Sequence, residues 1–143
     1  MSACILDHQG GAKSIGWPEL QTIGDELHWV HLDFSKPSSA RWLRHESRID
    51  SVIVDALLDS DSRPRCLSHH NGLLVTLRAI NTNTGAHPED MVSVRIWIES
   101  NRIVTTRRRR LMSVRSLEED LHQNAGPKTP GEFLARLVDK ISE

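Results

Sequence analysis

Leu27-His28-Trp29-Val30-His31-Leu32-Asp33 and Leu73-Leu74-Val75-Thr76-Leu77 are the two stretches on which the fold turns. Side chains alternate between the faces of a strand, so Val30 and Leu32 point one way while Trp29, His31 and Asp33 point the other. Apolar residues fall on both faces of each run. A strand of that kind needs cover on both sides, which predicts a sheet buried between two layers of helices.

The neighbouring segments agree. Met91-Val92-Ser93-Val94-Arg95-Ile96-Trp97-Ile98 alternates with Val92, Val94, Ile96 and Ile98 on one side, and Arg102-Ile103-Val104-Thr105-Thr106-Arg107 answers it after a turn at Ser100-Asn101. Asn71-Gly72 separates two further runs and predicts a hairpin with strands at residues 65–70 and 73–80, because both turn residues tolerate positive φ. Ala3-Cys4-Ile5-Leu6-Asp7 reads as an edge strand closed by Gly10-Gly11. Residues 81–90 carry turn formers and no apolar period, which predicts a loop.

Helices are expected at both ends of this sheet in sequence. Ser35-Lys36-Pro37 is helix-start chemistry leading into Trp42 and Leu43, with a hydroxyl available as a cap. Ile49, Val52, Ile53, Ala56 and Leu57 recur at helical spacing until Asp59-Ser60-Asp61-Ser62. Leu111, Val114, Leu117 and Leu121 define another helix, broken at Gly126-Pro127. Thr129-Pro130 opens a last one, with Phe133, Leu134, Leu137, Val138 and Ile141 along its apolar face.

Composition narrows the function. The 143 residues are 38% hydrophobic and 26% charged, sufficient for one domain with one core over residues 1–143. Eighteen basic against nineteen acidic side chains leave a formal charge of −1, so a nucleic-acid or anionic-membrane role would have to rest on a local patch. Only Arg107-Arg108-Arg109-Arg110 supplies one; adjacent guanidiniums repel and favour an anion or an acidic partner. Stacking residues are few, which argues against nucleic acid.

His31 and Asp33 share a strand face and could contribute part of a metal site, although a closed zinc site takes four ligands. His69 and His70, adjacent on a strand, are expected to diverge. Cys4 and Cys66 form no CxxC, and Cys66 reads as a small core residue. No nucleophile elbow, phosphate loop or dinucleotide fingerprint is present, so the chain does not read as an enzyme.

Four segments in order carry a resemblance. Trp29 to Asp33 with Pro37, Asp61-Ser62-Arg63-Pro64-Arg65 leading into His70 to Arg78, Glu89 to Ile98, and Arg102 to Leu111 together resemble the amino-terminal cytoplasmic domain of CorA-type divalent-cation transporters. Arg63-Pro64-Arg65 and the arginine-rich ending are most similar to the ZntB zinc-transport branch. The resemblance implies an α-β-α soluble domain that forms the wall of a funnel in a homopentamer at the cytoplasmic face of the inner membrane. It implies zinc or another divalent cation as the transported ion, no tightly bound cofactor, and a last helix, 130–143, leading toward a stalk and membrane spans absent from these residues. In that setting Arg107 to Arg110 would line the funnel and hold counter-anions such as chloride. The competing reading is a free-standing regulatory or anion-binding module, nucleic acid included, built on the same four arginines.

Overall fold

The computed structural model describes residues 1–59, 63–80 and 91–142. Its strands are β1 (Ser2–Leu6), β2 (Ala12–Ile15), β3 (His28–Asp33), β4 (Arg65–His69), β5 (Gly72–Ile80), β6 (Met91–Ile98) and β7 (Arg102–Arg107). They make one sheet in the order β2-β1-β3-β7-β6-β5-β4. Every pairing is antiparallel except β3 with β7, where His28 to Asp33 run alongside Arg102 to Arg107.

Among the described residues, five helices cover the two faces: α1 (Trp17–Thr22), α2 (Pro37–His45), α3 (Ser51–Leu58), α4 (Met112–His122) and α5 (Pro130–Ser142). Val114, Leu117, Leu121, Phe133 and Leu137 of α4 and α5 pack on Trp29, Val94, Ile96 and Ile103. Leu20, Trp42, Leu43, Ile53 and Leu57 of the first three helices pack on Val30, Leu32, Leu74 and Val104. The α-β-α layering that the two-faced runs require is therefore present, and the alternation within β3 and β6 sorts their side chains between the two cores as expected.

Several details differ from the sequence reading. β1 is an interior strand, because Ala12 to Ile15 form an additional short strand that takes the edge. Trp17 to Thr22 form a short helix that no apolar period announces; Pro18 is tolerated because proline in a first turn forfeits no hydrogen bond, and the Glu19 carboxylate accepts from the Gly16 N–H at 3.0 Å. Lys36, not a hydroxyl residue, precedes α2; the Ser35 hydroxyl donates instead to Asp33 at 2.6 Å. Cys66 is exposed on β4, an edge strand whose first four residues are all exposed. Residues 60–62 and the expected loop at 81–90 lie outside the described residues.

The hairpin between β4 and β5 is displaced by one residue. His69 pairs with Gly72, so His70 and Asn71 form the turn and His70 takes the left-handed conformation, φ 52°. Gly72 is needed for space rather than for positive φ: a Cβ there would lie 2.2 Å from the Trp97 ring. Trp97 is buried and its indole N–H donates to Glu99 at 2.5 Å, so the ring cannot easily withdraw. Gly72→Ala is expected to lower stability by about 1–3 kcal/mol, the range for overpacking. Urea unfolding followed by tryptophan fluorescence measures it; an unchanged midpoint would contradict this account of the turn.

Candidate functional site

At the carboxy-terminal ends of the parallel pair, one face of β3 and β7 changes from apolar to polar. Trp29, His31 and Asp33 lie directly opposite Ile103, Thr105 and Arg107. The Trp29 indole N–H donates to Thr105 Oγ1 at 2.9 Å, and His31 Nδ1 lies 2.6 Å from the same oxygen. The set closes when the Thr105 hydroxyl donates to Nδ1 of a neutral imidazole. Burial pushes the His31 pKa down to about 3, with the positive charge of Arg107 acting in the same direction.

One register step further, Arg107 pairs with Asp33 at 3.3 Å across the ladder. Burial raises the Asp33 pKa, but the Ser35 hydroxyl and amide, followed by Arg107, outweigh it and hold the carboxyl below its ordinary range. His31 and Asp33 thus share a face, each engaged with a neighbour on β7. Arg107 is half-buried in this pair, whereas Arg108, Arg109 and Arg110 follow it on exposed backbone before Leu111 re-enters the core. The four arginines are therefore divided between one structural ion pair and a short cationic ridge.

Among the described residues, the donors that converge are Asp50, His69 and His70. Asp50 caps α3, accepting from the Val52 N–H at 3.4 Å. Its Oδ2 lies 2.9 Å from His69 Nε2 and 3.5 Å from His70 Nε2. The two rings meet edge to face at 4.3 Å between centroids. The hydrogen bond from His69, then that from Val52, lowers the Asp50 pKa. Strand alternation predicted that the two histidines diverge; they do not, because His70 has left the strand and its left-handed backbone turns the ring back toward α3. The clue in the sequence was a second histidine beside Asn71, a residue type that tolerates positive φ better than most. Asp50 carried no signal beyond its place before a helix.

This cluster opens into a groove of about 390 Å3 that Arg48, Trp97 and Arg102 also line. A larger groove of about 660 Å3 continues along His28, Glu46, Glu99 and Arg102. Between them Arg102 binds Glu99 at 2.6 Å and the Ser47 carbonyl at 2.5 Å. Burial pushes the Cys4 thiol up to about 12, far from a reactive thiolate.

With this geometry in view, comparison with known proteins gives a consistent answer. Residues 24–143 match the family model described as CorA-like Mg2+ transporter protein. The chain belongs to the CorA-like family. It is 33% identical over 138 residues to the zinc transport protein ZntB of Yersinia enterocolitica, covering 96% of this chain and 42% of that protein. It is 36% identical over 143 residues to the divalent cation transporter CmaX of Pseudomonas aeruginosa, covering 97% and 43% respectively. The structure of full-length CmaX superposes with a TM-score of 0.93 at 34% identity, over 99% of this chain and 45% of that one. The cytoplasmic domain of ZntB from Vibrio parahaemolyticus shares the fold, with a TM-score of 0.83 at 24% identity over 99% of this chain and 57% of that one. The chain spans about two fifths of the length of the curated relatives it matches. Among the described residues no helix is long and apolar enough to cross a membrane.

Charging a buried histidine is the main acid liability at this site. An unfolded His titrates near 6.5 and the folded His31 near 3, so the unfolded state binds the extra proton between those values. Stability should hold above pH 6.5 and fall as the pH drops toward 3, with a limiting slope of about 1.4 kcal/mol per pH unit from this residue. His28, also pushed down by burial, adds to the fall. Urea unfolding between pH 7.5 and 4.5 should show a shallower dependence in His31→Gln than in the parent. Thr105→Val, which leaves the Trp29 N–H and His31 Nδ1 without their shared partner, should cost about 1–3 kcal/mol at pH 7.5. Identical pH profiles for parent and His31→Gln would contradict the assignment.

Proposed function

We propose that this chain is the amino-terminal cytoplasmic domain of a ZntB- and CmaX-like divalent-cation transporter, with zinc as the leading transported ion. The observation that supports it most directly is the match to CmaX, which joins 34% identity to near-complete coverage of this chain and a TM-score of 0.93. The domain's role in that reading is mechanical and electrostatic rather than catalytic. It supplies a wall of the cytoplasmic funnel and an assembly surface in a homopentamer at the inner membrane, and α5 leads toward the stalk and the membrane spans.

The ridge of Arg108, Arg109 and Arg110 acts in this reading as a counter-anion surface. Three adjacent exposed guanidiniums repel cations directly, so a role beside a cation pathway requires that they hold anions such as chloride and thereby set the local potential. Arg107 contributes less to that surface, because Asp33 already neutralises it. The ridge also supports the second reading, a regulatory module that binds an acidic partner.

Two measurements separate these readings. The reading frame that continues from these residues should encode two apolar spans of roughly twenty residues, and the encoded protein, reconstituted in vesicles, should carry Zn2+ inward or outward along an imposed gradient. Absence of the spans, or vesicles no more permeable to Zn2+ than protein-free ones, would overturn the transport reading. In the same vesicles, Arg108→Gln with Arg109→Gln should lower the zinc flux and its dependence on chloride, with domain stability changed by no more than about 0.5 kcal/mol. Unchanged flux and chloride dependence would remove the arginine ridge from the mechanism.

A further inference from the structure

We propose that Asp50, His69 and His70 form a binding site for a borderline divalent transition-metal ion, zinc foremost, at the edge of the sheet. The site goes beyond the transport reading, because it is built from local geometry alone and assumes nothing about the conducting path. Metal bonds of about 2.0–2.1 Å at tetrahedral angles place neighbouring donor atoms about 3.3–3.4 Å apart. The Asp50 oxygen lies 2.9 and 3.5 Å from the two Nε2 atoms, and all three donors fall within 4.8 Å of one another. Small side-chain adjustments therefore bring three ligands onto one ion.

The donor types choose the metal. Two imidazoles and one carboxylate suit zinc, cobalt or nickel, whereas magnesium requires near-octahedral oxygen coordination and retains its water. The His70 side chain is 76% exposed and Asp50 41%, so the remaining coordination positions open to solvent and water completes the shell. Such a site exchanges its ion, unlike a closed four-ligand structural site.

The backbone holds the donors in place. His70 keeps its left-handed φ because Gly72 is locked in strand register beneath Trp97, and Arg48, with φ 60°, turns the chain just before Asp50. Left-handed backbone at non-glycine residues is disfavoured, and here one such residue is itself a donor and another lies two positions before Asp50. Arg102, which lines the same groove, is neutralised by Glu99 rather than by Asp50. Asp50 belongs to the amino-terminal cap of α3 and the histidines to the β4–β5 hairpin, so a bound ion cross-links a helix of one layer to an outer strand of the sheet.

Calorimetric titration of the 143-residue chain with ZnCl2, together with Co2+ absorption spectroscopy, tests the site. The expected result is one saturable Zn2+ per chain, a tetrahedral-type Co2+ band displaced by Zn2+, and no displacement by a large excess of Mg2+. Asp50→Asn, His69→Gln and His70→Asn should each weaken zinc about tenfold or more and abolish the rise in melting temperature that zinc produces in the parent. His122→Gln, on an exposed histidine of α4, should leave both unchanged. No saturable binding, or binding that survives His69→Gln and His70→Asn, would overturn the proposal and leave an Asp–His ion pair only. Zinc flux by the full-length protein is read separately, so failure of this site and failure of the transport reading are distinguishable.

Discussion

The parallel ladder between β3 and β7 joins two antiparallel halves that would otherwise be separate. β2, β1 and β3 form one antiparallel group with β1 at its centre, β4 to β7 form a meander, and the seam between the two pairs residues 74 positions apart. A contact so distant in sequence carries a loop-closure cost that local hairpins do not have. It has to be specific. The seam meets that demand with buried apolar pairs, Trp29 beside Ile103 and Val30 beside Val104, followed by the hydroxyl of Thr105 shared by Trp29 and His31, and finally by the Asp33–Arg107 ion pair. A slip of one residue would carry Trp29 to the wrong core and leave the buried polar atoms of His31 and Thr105 without partners.

The same constraint explains why much of the architecture was legible in the sequence. Strands covered on both faces show apolar residues at odd and even positions, as Leu73 to Leu77 and Leu27 to Leu32 do, and helices that close one side show a stripe, as Val114, Leu117 and Leu121 do. Neither signal depends on knowing the partner. β2 escaped because Ala12 to Ile15 is short, with Lys13 and Ser14 exposed, and owes its conformation to pairing with β1 rather than to its own pattern. Cys66 escaped for a related reason: an edge strand need not be buried, and β4 exposes Leu67 as well.

The candidate site was less legible, because it depends on one residue of register. Asn-Gly is the common sign of a two-residue turn, and assigning the turn to it sends His69 and His70 to opposite faces. The Trp97 ring needs a residue without a Cβ opposite His69, so Gly72 is drawn into the strand and the turn moves back onto His70. Propensity at the turn lost to packing three strands' width from the seam. That outcome follows from magnitudes: a left-handed His costs roughly 1–2 kcal/mol, comparable to the price of overpacking a buried indole, and Trp97 is additionally tied to Glu99.

Charge is distributed by the same logic. Where the arginine run enters the sheet, Arg107 is aligned with Asp33 by strand register and becomes structural; where the strand ends, its neighbours have no ladder to align them and face solvent. Proximity in sequence therefore says little about common purpose: four adjacent arginines divide at a strand terminus, while Asp50, nineteen residues from His69, shares a hydrogen bond with it. In a sheet sandwiched by helices, the cores occupy most of both faces, so a polar group on a face needs a buried partner, as His31 has in Thr105, whereas polar groups open to solvent gather at strand ends, hairpin turns and helix caps. The Asp33–Arg107 pair occupies such a place at the carboxy-terminal end of the parallel pair, and the Asp50–His69–His70 cluster another, where the cap of α3 meets the β4–β5 turn.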